Sequence, residues 1–248
     1  MLIGVDHYTL AIWSKSSSIT PDTAKSLFIL PRLESLLFPC ELPVAPKKAV
    51  LFSSGREFDL SLIPKAFRRK GVFLIPLDGI NGVQVEIVLD TTGKGRHSFD
   101  LHIPFDKAKA GLVSGTILKE IFFEVLPPFR CEEEGHVFYY GPNEQEIVYY
   151  GYERMKWIRI SLGWLSYYGP KALEVLGRER FDNLKTCQEK VELEGGILIV
   201  LQEEPLDLSN PEHLARKQQA ERELGFDELA KDESRVKRRQ PIRVPPST

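Results

Sequence analysis

Apolar and polar positions alternate along this chain with two different periods, and the local period predicts each element. Residues 7–13 ("HYTLAIW") change character at every step. Tyr8, Leu10 and Ile12 fall on one side and Thr9, Ala11 and Trp13 on the other, as in a strand. Residues 18–38 place apolar side chains at 27, 30, 33, 36 and 37, a helical spacing that Pro31 must kink or split. A proline-punctuated connector, "ELPVAPKK", leads to "AVLFSSGREFDLSLIP", which predicts two short strands broken at Ser54-Gly55. "GVFLIPLDGINGVQVEIVLD" supplies further β-type runs, with Asn81-Gly82 as a hairpin signal. "TTGKGRH" reads as a polar turn. In "SFDLHIPF", Phe99, Leu101 and Ile103 point in while Asp100 and His102 point out.

The period then lengthens. "DKAKAGLVSGTILKEIFFEVLPPF" predicts one helix with Leu112, Ile117, Ile121 and Val125 on a face, stopped by Pro127-Pro128. "CEEEGH" predicts an acidic loop, and residues 137–168 are rich in aromatics with few helix signals. Pro170 suits the first turn of a helix "PKALEVL" closed by Gly177. A second helix is expected over "RERFDNLKTCQEKVEL", burying Phe181, Leu184 and Val191 and ending at Gly195-Gly196. "ILIVLQ" is an unbroken apolar run of strand length, which predicts a strand covered on both faces. Asn210 before Pro211 predicts a capped helix reaching Gly225, polar on most faces and anchored by Leu214 and Leu224. The expected fold is α+β: a mixed or mostly antiparallel sheet with helices packed against it. The expected domain is 1–226, with a break near 127–136 as an alternative organisation. A disordered basic tail is expected over 227–248, which has little hydrophobicity and several prolines.

Composition narrows the function classes. A formal charge of −2 lacks the basic excess of a general nucleic-acid binder. From Asp227 onward there are six Lys/Arg against four Asp/Glu, a net of +2, which leaves 27 against 31, or −4, in the body. Three widely spaced cysteines, Cys40, Cys131 and Cys187, imply no disulfide framework and read as reduced thiols of a cytoplasm-like compartment. The first residues lack the pattern of a signal peptide, and no run approaches the ~18 apolar residues of a membrane span. The expectation is a cytoplasmic protein with neither membrane nor nucleic acid as partner.

Candidate chemistry is sparse. No dinucleotide fingerprint, phosphate loop, zinc-protease helix or nucleophile elbow is present. "TTGKGRH" has the Gly and Lys of a phosphate loop without its spacing, so a solvated turn explains it better. Cys131, Glu134 and His136 could each ligate a metal, but no second Cys/His cluster completes a zinc site, and an exposed acidic loop suits a basic partner as well. Asp100 and His102 share a strand face and could act as an acid/base pair, although the outer face of an edge strand accounts for both. Cys187 is expected to pack inside a helix as a small apolar residue. "RVKRRQPIR" could touch nucleic acid or a membrane surface, but a short solvated charge run is the simpler reading. No catalytic residue, cofactor or metal is assigned.

Three segments carry a family resemblance. The first is "RISLGWLSYYGPKALEVLG", with Leu-Gly-Trp-Leu and a Tyr-rich step into a helix. The second is "GGILIVLQEEPLDLSNPEHLARKQQAERELGF", in which a double glycine, a strand, Pro-Leu-Asp-Leu and Asn-Pro-x-His-Leu follow in order. "FSSGREFDLSLIP" with "FDLHIPFDKAKAGLVSGTILKEIF" forms the third. Together they resemble bacterial immunity proteins similar to the immunity protein 52 group of polymorphic-toxin systems. The resemblance covers most of residues 50–226, without the Cys131–Met155 stretch or the tail. It implies an α+β protein, not an enzyme, that binds a cognate toxin or secreted effector, such as a nuclease, and occludes its active site. Tyr and Trp are typical interface anchors. The candidate contacts are therefore Glu132, Glu133, Glu134, Tyr139, Tyr140, Tyr149, Tyr150, Tyr167 and Tyr168. An enzyme with an unfamiliar site near Asp100, His102 and His136, or an interaction module using the basic tail, are the alternatives. Within the first segment, Trp164 is expected in the core, with Tyr167 and Tyr168 better placed to reach a partner.

Overall fold

The structure, a computed structural model, describes residues 6–15, 20, 48–51, 57–59, 70–78, 82–140, 147–153 and 156–239. The predicted helix over 18–38, the Ser54-Gly55 break and Cys40 lie outside these residues. The protein is α+β and built mostly on antiparallel sheets. The chain divides into two compact units, one formed by Met1–Thr9, Pro104–Lys119 and Glu132–Thr248, the other by Leu10–Ile103 and Glu120–Cys131. The chain crosses between them within strand β1 (His7–Lys15), the strand expected from the first alternation.

In the second unit the strands β2 (Lys48–Leu51), β3 (Glu57–Asp59), β4 (Val72–Asp78), β5 (Gln84–Asp90) and β6 (Arg96–Pro104) lie in the order β6-β5-β4-β2-β3. The pairings are antiparallel, and β4 meets β5 in the register Asp78↔Gln84 that a hairpin around Asn81-Gly82 requires. Alternation holds as read: Val85, Ile87, Phe99, Leu101 and Ile103 are fully buried, while Asp100 and His102 are half-buried on the opposite face. In the polar turn between β5 and β6, Asp90 accepts from the Thr92 amide at 2.7 Å, and buried His97 accepts from the Asp90 amide at 3.1 Å.

The single long helix expected over 106–126 is two. Helix α1 (Phe105–Lys109) ends before Gly111, and Leu112 lies outside helical structure. Helix α2 (Gly115–Phe129) restarts where the Ser114 hydroxyl accepts from the Ile117 amide at 3.3 Å. Pro127-Pro128 does not stop it. Both prolines sit in the final turn, where their fixed φ is helical and only two amide bonds are forgone. The stop comes at Arg130, whose amide donates to the Leu126 carbonyl at 2.8 Å and whose φ is +46°. Ile121, Phe122, Val125, Leu126 and Phe129 bury one face.

In the first unit β7 (Glu134–Tyr140), β10 (Leu165–Tyr168), β12 (Gly196–Val200) and β11 (Glu189–Leu193) are ordered β11-β12-β10-β7. β12 lies between two neighbours and all of its residues are buried, as its unbroken apolar run predicts. Helix α3 (Pro170–Leu176) is as expected, whereas the second helix is not. It shrinks to α4 (Arg178–Asp182), and Glu189–Leu193 becomes strand β11. Glu194 and Gly195 both have positive φ, +50° and +76°, so they form the tight two-residue turn of a β11–β12 hairpin rather than a helix end. Cys187 lies in the irregular stretch between them, half-buried, with its thiol pKa pushed up by burial. Helix α5 (Pro211–Glu223) is capped as predicted, Asn210 Oδ1 accepting from the Glu212 amide at 2.9 Å.

A second, three-stranded sheet in this unit has the order β13-β8-β9, from β8 (Ile147–Glu153), β9 (Lys156–Arg159) and β13 (Val236–Arg239). Residues 227–239, expected to be disordered, thus carry the end of a short helix α6 (Phe226–Leu229) and a paired strand. Composition undervalued them because β13 gains its order from backbone pairing with Ile147–Tyr150, which needs no apolar side chains of its own.

Candidate functional site

The acidic stretch is not a loop throughout. Glu132 is exposed and its carbonyl accepts from the Lys171 amide, while the Glu133 carbonyl accepts from Gly169, both bonds extending the β7–β10 ladder. Glu133 is half-buried, and its carboxylate accepts from the Tyr152 hydroxyl at 3.4 Å. Glu134 begins the strand proper, only 8% exposed. One of its oxygens accepts from the Arg159 backbone amide at 2.7 Å and pairs with His136 Nε2 at 3.3 Å. A strand's alternation carries both residues to one face, so Glu134 leaves the set available to a partner. His136 is wholly buried, and burial outweighs Glu134 to hold its pKa below the usual value, so the ring stays neutral.

The tyrosines divide in the same way. Tyr167 and Tyr168 are fully buried, which corrects the expectation that they reach outward. The hydroxyl of Tyr167 donates to the Leu193 carbonyl at 3.2 Å, and the Tyr168 ring packs against Phe181, His136 and Phe226 with centroids 4.9, 5.4 and 6.0 Å away. Strand β10 is flanked by β7 and β12, so neither of its edges nor either of its faces is free. Trp164 is core, as expected. Its indole donates to the Gln202 carbonyl at 2.9 Å, and its ring meets Tyr8 at 5.3 Å. Gly163 before it is obligatory for space, because a Cβ there would stand 2.1 Å from the Val137 carbonyl oxygen. Tyr139 is half-buried against Tyr8 and Phe105, and the Tyr140 side chain lies outside the described residues.

Tyr149 and Tyr150 belong to the three-stranded sheet. The registers Tyr149↔Arg159, Gly151↔Trp157 and Lys237↔Tyr149 place Tyr149, Trp157 and Lys237 on one face. Trp157 is half-buried, and its ring occupies the space that a side chain on Gly151 would fill, 3.0 Å from a Cβ there. Lys237 lies 5.7 Å above that ring, and Lys156 lies 5.9 Å above half-buried Tyr152. Tyr150 is 9% exposed, its hydroxyl accepting from Arg235 at 3.1 Å. Burial also raises the Tyr149 pKa. The result is a face on which half-buried Trp157 lies under Lys237 with Tyr149 beside it, while Lys156 over Tyr152, with Glu133 attached through Tyr152, belongs to the opposite face by alternation. Trp157, Tyr152 and the basic residues on them were not singled out from sequence. The usable signal was the alternation of aromatic and basic residues in "YERMKW" opposite "RVKRR".

Asp100 and His102 belong to one compact unit and His136 to the other. Asp100 is held by Ser98, whose hydroxyl donates to it at 2.8 Å, and faces Glu86 across the ladder. Burial, reinforced by Glu86, pushes its pKa up to about 6. Among the described residues no group of three or more His, Cys, Asp or Glu side chains converges as a metal site would. No helix among them is long and apolar enough to cross a membrane. Compared with known proteins, the chain matches no family model and no curated protein.

Proposed function

We propose that this chain is a non-enzymatic inhibitor of the immunity type, which binds a cognate toxin or secreted effector, such as a nuclease, and covers its active site. The observation that supports this reading is the ring-and-cation surface of the three-stranded sheet. Tyr149 and Trp157 offer large rigid contact area on one face that is only half withdrawn from solvent, with Lys237 over Trp157, and the opposite face presents Tyr152 under Lys156. Tyr and Trp are enriched in binding hot spots, where few side chains carry most of the energy. Exposed Glu132 and half-buried Glu133 add polar contacts, Glu133 through Tyr152. The family resemblance supplies the kind of partner.

The test is co-expression with the product of the adjacent reading frame, followed by affinity purification and a growth assay. The expected result is a toxic partner that this chain neutralises and retains. Trp157→Ala combined with Tyr152→Ala should weaken retention by at least about tenfold, the scale of one hot-spot residue. A neighbouring product that neither arrests growth nor co-purifies sinks the reading.

A further inference from the structure

We propose that two copies of this chain associate by pairing their β11 strands across a two-fold axis at Val191. A sheet edge offers unpaired amides and carbonyls, and proteins usually cover or charge such edges to keep other chains away. Among the described residues β11 pairs with β12 alone, so its other side is an edge. Which backbone groups that edge presents follows from the ladder. The Leu201 amide donates to the Trp164 carbonyl at 3.0 Å, so by alternation Ile197 and Ile199 also turn their backbone groups to β10. Gly196, Leu198 and Val200 then face β11 and take up Leu193, Val191 and Glu189. The amides and carbonyls of Lys190 and Glu192 are left pointing away from β12.

Those two residues make the edge complementary to itself. In an antiparallel pair centred on Val191, Lys190 stands opposite Glu192 of the second copy, and Glu192 opposite that copy's Lys190. Each of these pairs exchanges both of its amide–carbonyl bonds, and the side chains form a square of alternating sign on one face of the joined sheet. Both are already held on that face. Lys190 Nζ donates to the Phe181 and Asp182 carbonyls at 2.8 and 2.9 Å, and Glu192, its side chain 77% exposed, pairs with Arg178. On the opposite face half-buried Val191 meets its counterpart, and half-buried Leu193 stands opposite Glu189, which Lys119 neutralises at 2.7 Å. The edges of the three-stranded sheet lack this property. Exposed Lys237, Arg238 and Arg239 of β13 would repel their own counterparts, and on β9 the Arg159 amide is taken by the Glu134 carboxylate. Alternating charges on β11 favour an occupant that alternates in the opposite order, which an antiparallel second copy does.

The pairing does not depend on the inhibitor reading and is tested on the purified chain alone. Sedimentation equilibrium over a concentration series should show a reversible monomer–dimer step with a midpoint between about 1 µM and about 1 mM, as a contact of one short strand implies. Glu192→Pro removes an outward amide from each copy without touching the β11–β12 ladder, and should weaken the dimer at least about tenfold. Glu192→Lys and Lys190→Glu each set like charges opposite one another and should do the same. An equimolar mixture of those two variants should recover a dimer within about threefold of wild type, because opposite charges then meet again. Circular dichroism checks that each variant is folded. If Lys190→Glu is not, having lost its bonds to α4, Glu192→Pro and Glu192→Lys decide. A chain that stays monomeric up to about 1 mM, a dimer that Glu192→Pro leaves intact, or folded charge variants that fail to associate on mixing would each overturn the proposal.

Discussion

Removing one oxygen atom from the core should make this protein more stable. The Tyr168 side chain is fully buried, and its hydroxyl has no hydrogen-bond partner among the described residues. Its pKa is driven well above the usual value by burial, with Glu134 adding to the effect, so the group enters the core neutral and unpaired. In the unfolded chain that hydroxyl is hydrated, and burying it unsatisfied costs about 1–3 kcal/mol. Tyr168→Phe keeps the ring contacts with Phe181, His136 and Phe226 and deletes only the oxygen. A residual void of about 10–15 Å³ would return only ~0.3 kcal/mol of that gain at ~24 cal/mol per Å³. The net expectation is a stabilisation of about 1–2 kcal/mol. Tyr168→Ala, which empties the ring site, should instead cost about 3–5 kcal/mol. Urea denaturation followed by tryptophan fluorescence and near-ultraviolet circular dichroism measures both. A Phe variant less stable than wild type by more than about 1 kcal/mol refutes the reasoning, because a hydroxyl that stabilises must have an acceptor or donor beside it.

Asp100 should make the fold less stable as pH rises from about 4 to 6 and then level off. The folded carboxyl holds its proton up to about 6 against an ordinary 3.8, so ionising it in place costs up to ~3 kcal/mol. Asp100→Asn should remove this dependence and raise stability at neutral pH; an unchanged pH–stability curve contradicts it. His136 acts on the other side. With its folded pKa lowered by burial, the unfolded state takes up a proton first as pH falls below about 6.5, and stability falls by up to ~1.4 kcal/mol per pH unit. His136→Gln should flatten that acid limb, and a limb of the same slope removes His136 as its cause. Gly163→Ala should cost about 1–3 kcal/mol or more, since the added methyl meets backbone at 2.1 Å and nothing there is free to turn aside. A melting temperature within about 1 °C of wild type would show that β7 yields more easily than its bond to the Trp164 amide suggests.

Elements governed by local chemistry were legible. The Asn210-Pro211 start, the Pro170 start, the buried run Gly196–Val200 and the alternation of Phe99, Leu101 and Ile103 each depend on neighbours close in sequence. The failures share a cause. Glu194-Gly195 terminates a helix in one context and turns a hairpin in another, and only the partner strand decides. Val236–Arg239 owes its order to Ile147–Tyr150, some ninety positions earlier. The candidate surface was half legible for the same reason. Composition marked the tyrosines as a group, but burial is set by strand position, which withdrew Tyr167 and Tyr168 and left Tyr149.

The bond from the Tyr8 hydroxyl to the Leu206 carbonyl, 3.1 Å long, joins residues 198 positions apart. Tyr8 also stacks on Phe105 and meets Trp164 at a tilt of 60°, so its ring belongs to a core that residues beyond 160 complete. At ~5–20 residues per second, a ribosome would hold that tyrosine without its partner for roughly 10–40 s. The stretch Leu10–Ile103 emerges whole in the meantime, while the unit that brackets it cannot close until Leu206 and its neighbours have been made. Truncated or stalled products should therefore expose the aromatic face around Tyr8 to chaperones, and the order of birth along the chain becomes part of how this protein reaches its fold.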